Sequence, residues 1–141
     1  MPTGYASHCL IASVEGFVRQ HVLPVVIAVA GASAVLLGAW GAHGLHGVLD
    51  ARHLDIWHTA VRFQFWHALA LVAAALMPNR NRARQVAMWA FAVGIVLFCG
   101  SLYALALGAP SATGFVTPVG GLAFVAGWIA LGVAVAGGRP G

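Results

Sequence analysis

The residues best equipped for chemistry fall in one stretch of the chain. His43, His46, Asp50, His53, Trp57, Ala60, Gln64 and His67 step alternately by three and four positions, which would set them on one face of a continuous helix. Within that run His46, Asp50 and His53 offer two imidazoles and a carboxylate at i, i+4 and i+7, a donor set that divalent transition metals accept. Gly41, Gly44 and Gly47 interrupt the helix such a face requires, and Leu45, Leu49 and Ile56 lie opposite. The plainer reading of the segment is therefore an interfacial amphipathic helix with its polar side to water. Haem ligation by His43 and His67 fails on depth. Axial ligands must face each other at one level, and His67 lies roughly 15 Å below Trp57 by helix rise, whereas His43 ends a helix near the surface.

His67 and Gln64 share a face deep in an apolar run, and burial obliges both to find hydrogen-bond partners. Cys99, Ser101 and Tyr103 are the expected donors and acceptors for the imidazole. Two roles are open to it: a neutral ring that fixes helix packing, or a titratable group that shuttles protons or binds a solute. Arg62 sits nearer the surface, where it can snorkel or pair with Asp55, seven residues earlier on the same helical face. Nucleophilic catalysis has little support, since Ser101 and Cys99 lie in an apolar helix with no assigned His and acidic orienter beside them. No phosphate-binding loop is present, and the spans hold no carboxylate of the kind on which proton–cation antiporters commonly depend.

What must position these groups is set by composition. Of 141 residues 61% are hydrophobic and 7% charged, and mean hydropathy is +0.90. Soluble domains carry about a quarter charged residues, and three acids with seven arginines cannot coat a compact sphere of this size. The missing outer layer is lipid. The pI of 10.1 would suggest nucleic acid in a soluble protein, but lysine is absent and the arginines flank apolar runs, so nucleic acid is excluded as a partner. Cys9 and Cys99 form no disulfide framework. The first twenty residues lack a basic n-region and carry Glu15, so no cleaved signal is expected.

The chain reads as all-α, a polytopic four-transmembrane-helix bundle. Spans are expected at about 22–40, 57–77, 86–107 and 117–136, each close to the length that crosses roughly 30 Å of hydrocarbon. Together they form a single membrane domain over 21–137, between a flexible cytoplasmic tail at 1–20 and a short cytoplasmic end at 138–141. Between the second and third spans Pro78 to Arg84 makes a hydrophilic turn, and Gly108 to Gly114 makes an uncharged hairpin. Thr117 followed by Pro118 reads as an N-cap and first-turn proline. Arg19, Arg80, Arg82, Arg84 and Arg139 fall on one side against Arg52 and Arg62 on the other, which predicts both termini inside.

In that topology the outer half holds nearly all the unusual polar groups, and the inner half is featureless apart from arginines. The candidate polar site comprises His43, Gln64, His67, Ser101, Tyr103 and Thr117, beneath the positive end of the fourth helix's dipole, where free amides could receive an anion or a carbonyl. Small residues recur every four positions at Ala30, Ala34, Gly38 and Ala42, at Gly100, Ala104 and Gly108, and at Ala126, Ala130 and Ala134. Such stripes let helices approach closely, within the bundle or between subunits. No internal repeat supports an inverted-repeat transporter.

Four segments carry a resemblance: LGAWGAHGL at 37–45, TAVRFQFWHALAL at 59–71, GSLYALAL at 100–107 and TPVGGLAFVAGW at 117–128. In this order they resemble the membrane protein family catalogued as domain of unknown function number 423, over roughly Val25 to Ala136, with the N-terminal tail as an extension. The resemblance implies a small multi-helix membrane protein, found in bacteria with eukaryotic relatives, with no established activity, substrate or cofactor, so it transfers no catalytic residue; the expected location is the bacterial cytoplasmic (inner) membrane. Three functions are expected in descending order. The first is a non-enzymatic accessory or self-associating bundle, whose partners are the lipid bilayer and a second copy or another membrane protein. The second is a small transporter or channel around an outward-facing site at His67, and the third a metal-binding membrane enzyme using His46, Asp50 and His53. No cofactor is expected.

Overall fold

The computed structural model describes residues 22–78 and 80–137. The tail expected at 1–20 and the C-terminal end expected at 138–141 lie outside the described residues. Four helices long and apolar enough to cross a membrane follow one another: α1 Leu23–His43, α2 Ala51–Leu76, α3 Arg82–Ala106 and α4 Val116–Ala136. Neighbours in sequence are neighbours in space, α1 on α2, α2 on α3 and, most extensively, α3 on α4. The larger of two core clusters draws Leu71 and Ala74 from α2, Phe91 and Cys99 from α3 and Phe124 from α4, with Leu23, Val26 and Ile27 of α1 packed against it.

Helix ends explain where the observed bounds depart from the expected ones. α1 opens on Pro24, whose missing N–H costs nothing in a first turn. Its last turn closes where the amides of Gly44 and Leu45 both donate to the Trp40 carbonyl. Gly47, at φ 85°, then takes the left-handed turn conformation that side chains avoid. α2 begins six residues before the expected Trp57, because the Asp50 carboxylate accepts the His53 amide N–H at 2.9 Å and caps the helix there. The interfacial helix expected between the first two spans is thus a short loop followed by the polar first turns of α2. α3 likewise starts early, with Asn81 capping through the Arg84 amide at 2.9 Å.

α3 is α-helical over Arg82–Gly94 and Gly100–Ala106, with a π-helical turn at Ile95–Cys99 between them. It closes on Gly108, at φ 89°. A 3-10 turn at Ser111–Phe115 then occupies the segment expected to be a plain hairpin and leads directly into α4. Thr117 therefore lies inside the first turn of α4 rather than at its cap.

Candidate functional site

The structure distributes the expected polar site among three separate helix contacts. The first joins α1, α2 and α3 through Gln64. Its Nε2 donates to the Ala30 carbonyl at 2.9 Å and to Ser33 Oγ at 2.7 Å, and its Oε1 accepts from the Tyr103 hydroxyl at 2.9 Å. Ser33 in turn donates to the carbonyl of Val29. Two turns earlier on α2, the buried Trp57 donates its indole N–H to the Leu37 carbonyl at 2.9 Å and packs edge-on against Trp40 and Tyr103.

His67 forms the second contact. The expected partners at Cys99, Ser101 and Tyr103 are not the ones it uses. Its Nδ1 lies 2.7 Å from the Phe63 carbonyl, which can only accept, so Nδ1 carries the proton. Nε2 is then the acceptor, and the Trp128 indole N–H donates to it at 3.3 Å. The ring stacks on Phe124 with centroids 3.5 Å apart and planes 11° from parallel. Both nitrogens and one face are committed, in the neutral tautomer.

The third contact pairs Ser101 of α3 with Thr117 of α4, hydroxyl to hydroxyl at 2.7 Å. Ser101 also donates to the Phe98 carbonyl at 2.9 Å, inside the π-helical turn. Its single proton is spent there, so Thr117 is the donor in the pair. His43, the remaining member of the expected site, is exposed at the end of α1 and joins none of these contacts. Among the described residues, no buried side-chain nitrogen or oxygen lacks a hydrogen-bond partner.

The metal-ligand triplet requires a helix running through residues 46 to 53, and α2 begins only at Ala51. His46 sits in the loop, Asp50 is the cap, and His53 closes back on it with Nδ1 2.8 Å from Oδ2. Among the described residues no group of three His, Cys, Asp or Glu side chains comes together to hold a metal. The His53 amide, and after it the His53 ring, hold the Asp50 carboxyl below its ordinary range. Arg62, expected to snorkel or to pair with Asp55, does not meet Asp55 and reaches the Thr59 hydroxyl at 3.5 Å.

Sequence reading missed a buried cation. Arg84 is 3% exposed and donates from Nε to the Ala74 carbonyl and from Nη2 to the Ala75 carbonyl, both at 2.8 Å. It thereby closes the last turn of α2, where the helix dipole favours positive charge. The end read as featureless thus contains a specific tether between α2 and α3. Read by count alone, Arg84 is one more topological charge, and no local motif distinguishes it from Arg80 or Arg82. Ser33 and Trp128 were also missed; each is one of the few polar side chains in an apolar span, the signal that could have found it.

Glycines supply the room these contacts need. A Cβ on Gly94 would stand 2.4 Å from the Phe124 ring, one on Gly127 2.7 Å from Phe91, and one on Gly41 2.6 Å from Trp57. At Gly120 the obstacle is backbone, Phe98 N at 2.3 Å. The four-residue stripes are only partly used in this way. Ala30, Ala34 and Ala134 are buried, whereas Ala42, Gly100, Gly108 and Ala126 face outward.

Comparison with known proteins places this arrangement. The family model described as "Protein of unknown function (DUF423)" matches residues 37–121. The chain is 43% identical to the UPF0382 membrane protein YwdK of Bacillus subtilis, across 72% of this chain and 85% of that one. It is 41% identical to a UPF0382 membrane protein of Haemophilus influenzae, across 75% and 86%. The UPF0382 inner membrane protein YgdD of Escherichia coli is 39% identical, across 72% and 79%. No solved structure matches the chain.

Proposed function

Because this chain belongs to the DUF423 (UPF0382) family of membrane proteins of unknown function, a multi-pass protein of the bacterial inner membrane, we propose that it acts as a non-enzymatic helical bundle, associating with itself or with another membrane protein. One observation carries this reading: the polar side chains inside the bundle are committed to fixing helices against one another. A catalytic or transport site keeps polar groups pointed at the position a ligand will occupy. Here Gln64, His67, Ser101, Tyr103 and Thr117 point at each other or at helix carbonyls. The outward face of α1, with Ala28, Ala32, Val35, Ala39 and Ala42 at alternating steps of four and three, is the smooth surface that helix pairing in lipid uses.

Both termini are proposed to be cytoplasmic, on the strength of Arg80 and Arg82 at the α2–α3 turn. Reporter fusions at the C-terminus, active only on one side of the membrane, test that orientation.

Association is tested with a cysteine introduced on the α1 face. Ala32→Cys should give intermolecular crosslinks in native membranes, and Ala60→Cys, buried against the core, should give none. A protein that remains monomeric and partnerless in native mass spectrometry and crosslinking overturns the reading. Solute flux in liposomes that disappears in His67→Ala would point to a transporter instead, and a stoichiometric metal lost in His53→Ala would point to a metal-dependent enzyme.

A further inference from the structure

Charge is divided between the two ends of the bundle. The carboxylates among the described residues, Asp50 and Asp55, lie at the start of α2. At the opposite end Arg80, Arg82 and Arg84 gather at the start of α3 with no described carboxylate beside them. Arg84 is buried and bonded to α2. Arg82 is exposed and has no hydrogen-bond or ion partner among the described residues. An arginine at a membrane surface without an acidic neighbour presents a fork of donors suited to a phosphate.

Beneath Arg82 runs a groove between α3 and α4. The groove is shallow and lies mostly on α3: Arg82 and Gln85 stand at one end, Val86, Trp89, Ala90 and Val93 continue along the helix, and Ala123 is the one α4 residue that lines it. Polarity thus falls away in one direction along the groove. Arg82 to Val93 spans roughly 16 Å of helix, close to the depth of one leaflet, about half of a 30 Å hydrocarbon core. A charged head at the surface and an apolar trough one leaflet deep match one kind of molecule. We propose that this groove binds an anionic phospholipid, with its phosphate on Arg82 and one acyl chain lying along Val86, Trp89 and Val93. The site is independent of whether the bundle associates with itself.

Trp89 provides the readout. In nanodiscs of unbrominated phosphatidylcholine, a rising fraction of the lipid is replaced by phosphatidylglycerol carrying brominated chains or, separately, by brominated phosphatidylcholine. The Trp89 contribution is the part of the quenching that disappears in Trp89→Phe. We expect phosphatidylglycerol to quench Trp89 with about fivefold higher affinity, the preference that one basic side chain near the surface supplies. Arg82→Gln should abolish that preference, and Arg52→Gln, at the other end of the bundle, should keep it. Ala123→Phe, which fills the trough, should reduce Trp89 quenching by both lipids. Inorganic phosphate should leave the bound lipid in place, because the acyl chain contributes to binding. Equal quenching by the two lipids, a preference that survives Arg82→Gln, an equal loss in Arg52→Gln, or displacement by inorganic phosphate would each overturn the proposal.

Discussion

The α1/α2 seam and the α3/α4 seam mix the same two means in different proportion: the first adds one ring over a glycine, Trp57 on Gly41, to its hydrogen bonds, and the second adds one hydrogen bond, between Ser101 and Thr117, to its packed rings. Along α1/α2, side chains of α2 reach across to backbone and hydroxyl groups: Trp57 to the Leu37 carbonyl, Gln64 to the Ala30 carbonyl and Ser33. Along α3/α4, glycines open hollows and aromatic rings fill them, Phe124 over Gly94 and Phe91 over Gly127, while Gly120 lets the two backbones meet. Lipid tails are as apolar as the side chains, so helices in a membrane gain little by hiding hydrocarbon from one another. Directed bonds can hold a helix that touches little else, and α1 buries only 11% of its span against 28% for α4. Steric fit needs extensive contact instead, and α3/α4 is the most extensive pairing in the bundle.

The sharpest way to break this contrast is Gly120→Ala. The added Cβ meets backbone that cannot rotate away, so the helices must separate, at a cost of about 3 kcal/mol, the upper part of the usual range for overpacking. Unfolding titrations in mixed micelles measure it; unchanged stability would refute the close-contact account of that seam. Gln64→Leu attacks the other seam. It removes three interhelical bonds at roughly 0.6 kcal/mol each, so about 2 kcal/mol is expected, with hydrogen exchange accelerating in α1 before α4.

Gly31→Ala sharpens the comparison by reversing the sign. Nothing stands within 4 Å of a Cβ at Gly31, so the same substitution that disrupts α4 should raise stability by up to about 1 kcal/mol. The smallest effect is expected at Asp50. Its carboxyl is held below its ordinary value in the folded protein, so its cap is fully stabilising above the unfolded pKa and is lost as pH falls through the lower folded one. Asp50→Asn should keep the cap and flatten that acid dependence, as thermal melts at pH 7 and below pH 3.8 would show.

The four spans were legible because length and hydropathy alone define them. Their ends were less so. The first turns of α2 carry Arg52, His53, Asp55 and His58, which read as loop because polarity and exposure are easily confused at a membrane surface. Thr117 was misplaced because Thr-Pro is the ordinary sequence of a cap and first turn; only tertiary contact reveals that its hydroxyl turns to Ser101. Which of the candidate polar residues meet was not legible. Gln64 and Tyr103 do meet, and so do Ser101 and Thr117, but His67 turns to Trp128, and His43 stays outside. The glycine hollows eluded four-residue counting because their partners are rings on other helices, which no single helix discloses.

The hydrogen-bonded chain that begins at Tyr103 runs in one sense only: phenol to amide oxygen, amide to serine, serine to the Val29 carbonyl. A Grotthuss relay needs each member to take a proton on one side and release another on the far side. An amide does so only through its unfavourable imidic acid form, and a helical carbonyl has no proton to release. Electrically this row is an insulator. It polarises in the field across the membrane without passing current, so these buried polar residues can tie three helices together without opening a leak.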